Sequence, residues 1–402
     1  MSRVQTFIFD HFGYDADAKV ADFYYKTDAG HEFHERLEFN HAHVNDFPLT
    51  ALEEALKLYW LLAGVSYYKA HLATTIEFNA HNIDAWQAER LNTIYTNGLG
   101  EFLYMNERGP DAVASFFGFQ DDRERTVPKT VVSEAALVLI GGGKDSLTTV
   151  SLFDQQRQPY EIFRVNPQGW IVDQMSEIGV PPITVERTID SFLTSDEDQM
   201  KGHVPITAII SASAIIAGIL GGFADVVTSN EKSADDPNIT EYEGMAINHQ
   251  WSKGLELENI MQQWTRRYIS SDLRYYSYLR EMTEPQIAEI FSRTAFERFS
   301  GLWSSSNENF KQDSDGTLSW DLRSSKAIST FILLLPHIKK ESLIAEFGGN
   351  PLDMAENKDM VLKLLGKKDI KPFECVPSPY ELQVSMEQAT KSQWPELQAY
   401  LG

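Results

Sequence analysis

The sequence predicts an α/β fold in which a parallel sheet is covered by helices on both faces, with an N-terminal α+β domain before it and a mainly helical region after it. Three observations carry this. A continuous apolar run, "AALVLI" at 135–140, stops at three glycines and a stretch with helical spacing. Three more apolar runs, "YEIFRVN" (160–166), "PITVER" (182–187) and "ADVVTS" (224–229), follow, the first of them at the spacing of a tight βαβ unit. The 402 residues are 43% hydrophobic and 12% aromatic, which is material for two or three domains with large cores.

Taken in order, the N-terminal "MSRVQTFIFDHFGYDADAKV" reads as a first strand, since its apolar stretch is too short for a signal sequence. "VADFYYKTD" and "HEFHERLEF" flank Ala29-Gly30 as the arms of a hairpin. "LTALEEALKLYWLLAGVSYYKAHL" has helical apolar spacing, with Thr50 as its N-cap. The charged, aperiodic "FQDDRERTVPKT" at 119–130 marks a boundary, giving an N-terminal α+β domain over 1–130. The sheet occupies 131–300, with a helix over Lys144 to Gln156. Val204 to Ala224 has no charge over a length that would cross a bilayer, but Pro205, Ser211, Ser213 and Gly221-Gly222 fit a small-residue helix packed closely on a sheet. Beyond residue 260 the pattern turns mainly helical. The region 301–402 begins with the polar "SSSNENFKQDSDGTLSW" and continues through "SSKAISTFILLLPHI".

Composition narrows the partners. Thirty-five basic residues stand against 58 acidic ones, a net charge of −23, which disfavours nucleic acid as a partner while leaving room for a local basic pocket. The one cysteine, Cys375, allows neither a disulfide framework nor a cysteine-ligated zinc site within one chain. A reducing, cytoplasmic setting with no membrane partner is the expectation.

The loop "LIGGGKDSLTT" asks for an anion, because glycines before a helix let backbone N–H groups approach one closely. It fails as a Walker A loop: Val138 stands where the first glycine belongs and Asp145 where Ser or Thr would bind magnesium. As a dinucleotide fingerprint it matches at Gly141 and Gly143 but has Ser146 in place of the third glycine. What remains, Gly141, Gly142, Gly143, Lys144, Asp145 and Ser146, resembles the PP-loop of the ATP pyrophosphatases, with the HUP-like nucleotide-binding fold that this implies. Those enzymes split ATP between its α and β phosphates. Ligands of parallel sheets sit at the carboxyl ends of the strands, which places the loop, Asn166 and Asn230–Ser233 along one edge. Two further clusters have both functional and ordinary readings. "TSNEKSADDPN" at 228–238 is a ligand-edge segment or a solvated loop. "GMAINHQWSKGLELE" at 244–258, if helical from about Asn248, puts His249, Lys253 and Glu256 on one face as a site or as a charge stripe.

Together, "GHVPITAIISASAIIAG", "VVTSNEKSADDPN", "NHQWSKGLELE" and "GGGKDS" resemble the UDP-N-acetylmuramoyl-L-alanyl-L-glutamate epimerase family of peptidoglycan synthesis. The resemblance implies ATP and Mg2+ as cofactors, a UDP-linked muramoyl dipeptide as substrate, and inversion of its terminal glutamate through an acyl adenylate, with AMP and pyrophosphate released. By matched motif and by chemistry, Glu231, Lys232, His249 and Lys253 are the candidate acids and bases, and Asn230 joins the loop in binding nucleotide. No metal ligands are indicated. The chain departs from the family in its cysteines, with serines in "SSSNENF" (304–310) and "LRSSKAISTF" (322–331), so neither a soft metal nor a redox step has a thiolate there. Inversion by two opposed thiols is closed to a chain with one. The rival readings are a PP-loop adenylating ligase or amidotransferase-like enzyme acting on another small carboxylate or nucleobase, and a nucleotide-binding module without activity.

Overall fold

The four apolar runs of the middle region form strands, and they pair in parallel. In a computed structural model that describes residues 4–41, 47–121, 125–195, 199–305, 318–368 and 370–401, the first 130 residues supply β1 (Thr6–Asp15), β2 (Val20–Thr27), β3 (Glu32–Phe39) and β4 (Thr75–Phe78). β5 (Ala136–Leu139), β6 (Tyr160–Val165), β7 (Pro182–Thr188) and β8 (Asp225–Thr228) follow, then β9 (Ile239–Tyr242), β10 (Met245–Ile247) and β11 (Arg274–Ser277). Nine of them make one α/β sheet in the order β11-β8-β5-β6-β7-β3-β2-β1-β4, and β9 and β10 pair apart from it. The five strands from β11 to β7 are mutually parallel. At β7 the sheet changes sense: β3 pairs with it antiparallel, Phe39 opposite Val185. The hairpin arms flanking Ala29-Gly30 are β2 and β3, in register from Val20–Glu38 to Lys26–Glu32. Strands of 1–130 and of 131–300 therefore share one sheet.

Alternation along β5 shows why it must be apolar throughout. Leu137 packs with the N-terminal aromatic core around Phe9, Tyr59 and Trp60, while Ala136 and Val138 face a second core built with the C-terminal helices around Phe291, Trp303 and Phe331. A strand covered on both faces has no position for a polar side chain. The uncharged segment is the helix Ile206–Gly221, packed so closely that a Cβ on Gly218 would lie 3.0 Å from Val226 of β8. It stops at Gly222, which takes the left-handed conformation (φ 67°). Among the described residues, no helix is long and apolar enough to cross a membrane.

Two local expectations are corrected. Thr50 does not cap its helix. Leu49–Ala63 starts two residues earlier than that cap would allow, behind Pro48, whose fixed φ of −63° suits a helix entry without a capping side chain. The segment from Asn248 is not yet helical: a 3₁₀ turn, Trp251–Lys253, precedes Gly254 in extended conformation, and the helix runs Leu255–Trp264. Beyond residue 260 the described chain is mainly helical as expected, with β11 between the helices as a strand of four residues, "RYYS", too short to display a period of two.

Candidate active site

β5 ends by delivering the chain into the glycine loop, and each loop residue has a distinct physical task. Gly142 sits at φ +90°, and a Cβ there would come within 2.6 Å of both Ile171 and Trp170, so only glycine fits. Gly141 is different: a Cβ on it would meet nothing within 4 Å. Ser146 closes the loop from the first turn of the helix Lys144–Gln156, accepting from the Gly141 N–H at 3.3 Å and donating to the Gly143 carbonyl at 3.2 Å. The helix begins at the loop without a side-chain cap, so its N-terminal dipole points into the space above. Lys144 lines the same space and is held there in ion pairs with Asp145 and Glu284. Burial alone would depress its pKa, but the two carboxylates more than offset this and hold the ammonium above the ordinary lysine range.

The loop is one wall of a cavity of about 570 Å³ at the carboxyl ends of β5, β6 and β8, within the size range of small-molecule sites. Asn166, Asn230, Glu231 and Lys253 line it, and Ser304, Ser305, Lys326 and Cys375 close it from the C-terminal region. Asn230 is fixed by β11: its N–H donates to Ser277 Oγ at 2.7 Å, and Ser277 Oγ donates to its carbonyl at 2.7 Å. Arg280, 8% exposed, ties three elements together. It donates to the Glu231 carbonyl (2.8 Å), the Lys253 carbonyl (2.6 Å) and the Glu258 carboxylate (2.9 Å).

Charge accumulates on the wall opposite the loop. Burial would lower Lys253, but Cys375, Glu231 and Asp145 raise it above the ordinary lysine range. Burial would raise the Cys375 thiol, but Lys253, a hydrogen bond from His249 and the charge of Lys326 bring it down to about 6. His249, depressed by burial, is pulled up to about 9 by hydrogen bonds to Cys375 and Glu101. His203 stacks obliquely on it, ring centroids 4.6 Å apart, and is pushed down to about 4 by burial and by the charge of His249.

The model for the MurL N-terminal domain matches residues 1–278, and that for the MurL C-terminal domain matches 302–400. The chain belongs to the MurL family. A UDP-N-acetyl-alpha-D-muramoyl-L-alanyl-L-glutamate epimerase of Xanthomonas oryzae pv. oryzae is 32% identical over 400 residues, which cover 98% of this chain and 88% of that protein. Proteins of the same name from a Micromonospora species (31% over 359 residues; 87% and 78% covered) and Salinispora tropica (29% over 403; 96% and 85%) are also similar. This MurL-family chain is accordingly an epimerase, an isomerase-class enzyme.

Within the family frame, the residues singled out from sequence separate into groups. Gly141, Gly143, Lys144, Asp145, Ser146, Asn230, Glu231 and Lys253 all line the cavity, with Gly142 in the same loop. Lys232 does not. It is exposed at the start of the 3₁₀ turn Lys232–Asp235, because a turn that buries Glu231 and Ser233 directs the side chain between them outward. His249 stands behind the cavity wall and meets it through Cys375. Glu256 is bound by Trp251 Nε1 (2.7 Å) and Asn97 (3.1 Å), away from His249 and Lys253, since the helix that was to align them begins too late. Of the serine segments, Ser304, Ser305 and Ser329 reach the cavity and 306–310 lie outside the described residues. Cys375, Lys326 and Arg280 were missed. The unique cysteine was the available signal, but nothing in its surroundings, "KPFECVPSP", marks it as opposing a loop more than two hundred residues earlier.

Proposed function

We propose that this protein is an ATP-dependent epimerase that inverts the terminal L-glutamate of UDP-N-acetylmuramoyl-L-alanyl-L-glutamate in peptidoglycan precursor synthesis, activating the α-carboxylate as an acyl adenylate and releasing pyrophosphate and then AMP. One observation carries the reading. A single cavity joins the PP-loop-like cradle Gly141–Ser146 to the charged groups Glu231 and Lys253, as activation followed by proton transfer requires. An ionised carboxylate resists loss of the neighbouring α-proton, because the carbanion forms beside a full negative charge. Adenylation removes that obstacle. The loop N–H groups and the helix N-terminus hold phosphate oxygens, and the open space beside Gly141 admits them. Ser146 keeps the loop closed, and Lys144, paired with Asp145 and Glu284, fixes Asp145 at the cradle's edge. Asp145 and Glu231 give the cavity hard oxygen donors that suit magnesium, which when bound supplies countercharge to the phosphates. Lys253 places a cation where the enolate forms.

The test is a single incubation in deuterated solvent with ATP and the UDP-linked dipeptide. AMP, pyrophosphate and a D-glutamate product carrying deuterium at Cα are expected together, because one fixed group cannot return the proton to the opposite face. Asp145→Asn and Ser146→Ala should each depress AMP formation while leaving the fold intact. ADP and phosphate as products would remove the adenylation step. ATP consumption with Cα keeping its hydrogen and configuration would replace the epimerase by a ligase.

A further inference from the structure

Cys375 is the one thiol of the chain, and the fold holds it in place from several sides. Asn238 Nδ2 donates to the carbonyls of Pro372 (2.7 Å) and Lys371 (3.4 Å), while Asn238 Oδ1 accepts the His249 N–H at 2.9 Å, so one side chain sets the approach of the cysteine segment to the histidine. Gln250 Nε2 donates to the Val376 carbonyl at 3.3 Å, and Ser325 Oγ bonds the neighbouring Glu374. The thiol reaches the cavity, and behind it Glu101 binds His249 Nδ1, completing a carboxylate–imidazole–thiol chain directed at the space that faces the glycine loop. A structural cysteine needs none of this; one packed among apolar side chains is inert.

We propose that Cys375, oriented by the Glu101–His249 pair and by Lys253, is the base that takes the α-proton of the activated glutamate from one face. The inference rests on the epimerase reading above. In the step, the Cα–H bond breaks, its electron pair passes into the enolate of the activated carboxyl group, and the proton forms the S–H bond. A second donor on the far side of the cavity then protonates Cα, and the thiol exchanges its proton with solvent. Route by two thiols is excluded for one chain, but one thiolate and a different acid satisfy the same geometry. His249 and Asn238 are positioning residues here.

Because no other cysteine exists, thiolate absorbance near 240 nm and alkylation report on Cys375 alone. The groups around the sulfur are Lys253, His249, Lys326 and Lys371, all basic, with the carboxylates Glu231 and Asp145 beyond Lys253. In the full-length protein at pH 7, a thiolate signal that Cys375→Ser lacks is expected, and its absence would overturn the proposal. With ATP and the UDP-linked dipeptide, Cys375→Ala and Cys375→Ser should slow inversion and deuterium entry at Cα by about 10²–10⁴-fold. Pyrophosphate release should stay within about tenfold of the parent. Inversion retained in either variant would overturn the proposal, as would loss of pyrophosphate release from a variant with unchanged melting, which would assign the thiol to activation. A substrate-derived mass on Cys375 would make it a nucleophile and equally exclude the role. Should the parent invert glutamate without forming AMP, adenylation falls while the Cys375 arms still decide the base.

Discussion

At Cys375 and His249 one contact moves two protons in opposite directions. The histidine, at about 9 against an ordinary 6.5, contributes stability that is whole below 6.5 and is lost as pH rises through 9. The thiol, at about 6 against 9.0, contributes stability that is whole above 9 and is lost as pH falls through 6. These describe a single ion pair, so the two apparent values belong to the pair, which persists between them. Inversion is therefore expected to follow a bell in pH, with limbs near 6 and 9, and Glu101→Gln should move the upper limb to lower pH by removing one of the bonds that raises His249. The kcat/KM for deuterium entry, measured across this range, checks it. A profile flat from about pH 5 to 10 would deny the pair a part in proton transfer. Lys253, which Cys375, Glu231 and Asp145 hold above the ordinary lysine range against burial, stays a cationic neighbour on both limbs and supplies neither break.

The glycine loop shows how the same residue type serves two ends within one element. Gly142→Ala must place a Cβ on a left-handed backbone against Trp170 and Ile171, a cost of roughly 1–3 kcal/mol. Gly141→Ala meets no atom, and its stability change should stay within about 0.5 kcal/mol. Both should weaken ATP binding, one through distortion and the other by filling ligand space. Urea unfolding separates them, and equal midpoints for the two variants would contradict the assignment. This loop and the helix after it were legible in the sequence, because apolar run, glycines and helical spacing follow one another locally; the helix spans Lys144–Gln156 as expected. Other elements were not. At Gly254 the extended conformation comes from Asp235, whose carboxylate accepts the Leu255 N–H at 2.8 Å, a contact across twenty residues that no local pattern carries. The opposite wall of the cavity, with Cys375 and Lys326, is tertiary in the same sense: Asn238 and Gln250 bring it there, and their spacing from it in the chain exceeds a hundred residues.

Across the whole molecule, the join between β3 and β7 is sealed by a buried charge. Glu35, fully buried, accepts from Arg187 Nε at 2.8 Å and from Tyr67 at 2.8 Å, and also bonds Tyr59. Arg187→Ala strands that carboxylate and should cost roughly 3–5 kcal/mol, whereas removing the charge as well, in Arg187→Ala with Glu35→Gln, should recover part of the loss. Denaturant midpoints decide it, and a cost below about 1 kcal/mol for the single variant would mean that the pair is solvated. The same join sets a timetable for the nascent chain. The β1–β2–β3 meander can form as soon as residue 39 has emerged, but its outer strand finds its partner only when residues 182–188 follow. At ribosomal rates β3 thus waits with an open edge for roughly 10–30 s, its apolar Phe33, Leu37 and Phe39 awaiting cover. During that interval another nascent copy offers the same edge, and the basic and acidic residues between, Glu32, His34, Arg36 and Glu38, act as gatekeepers that make pairing with a stranger less favourable than waiting for β7.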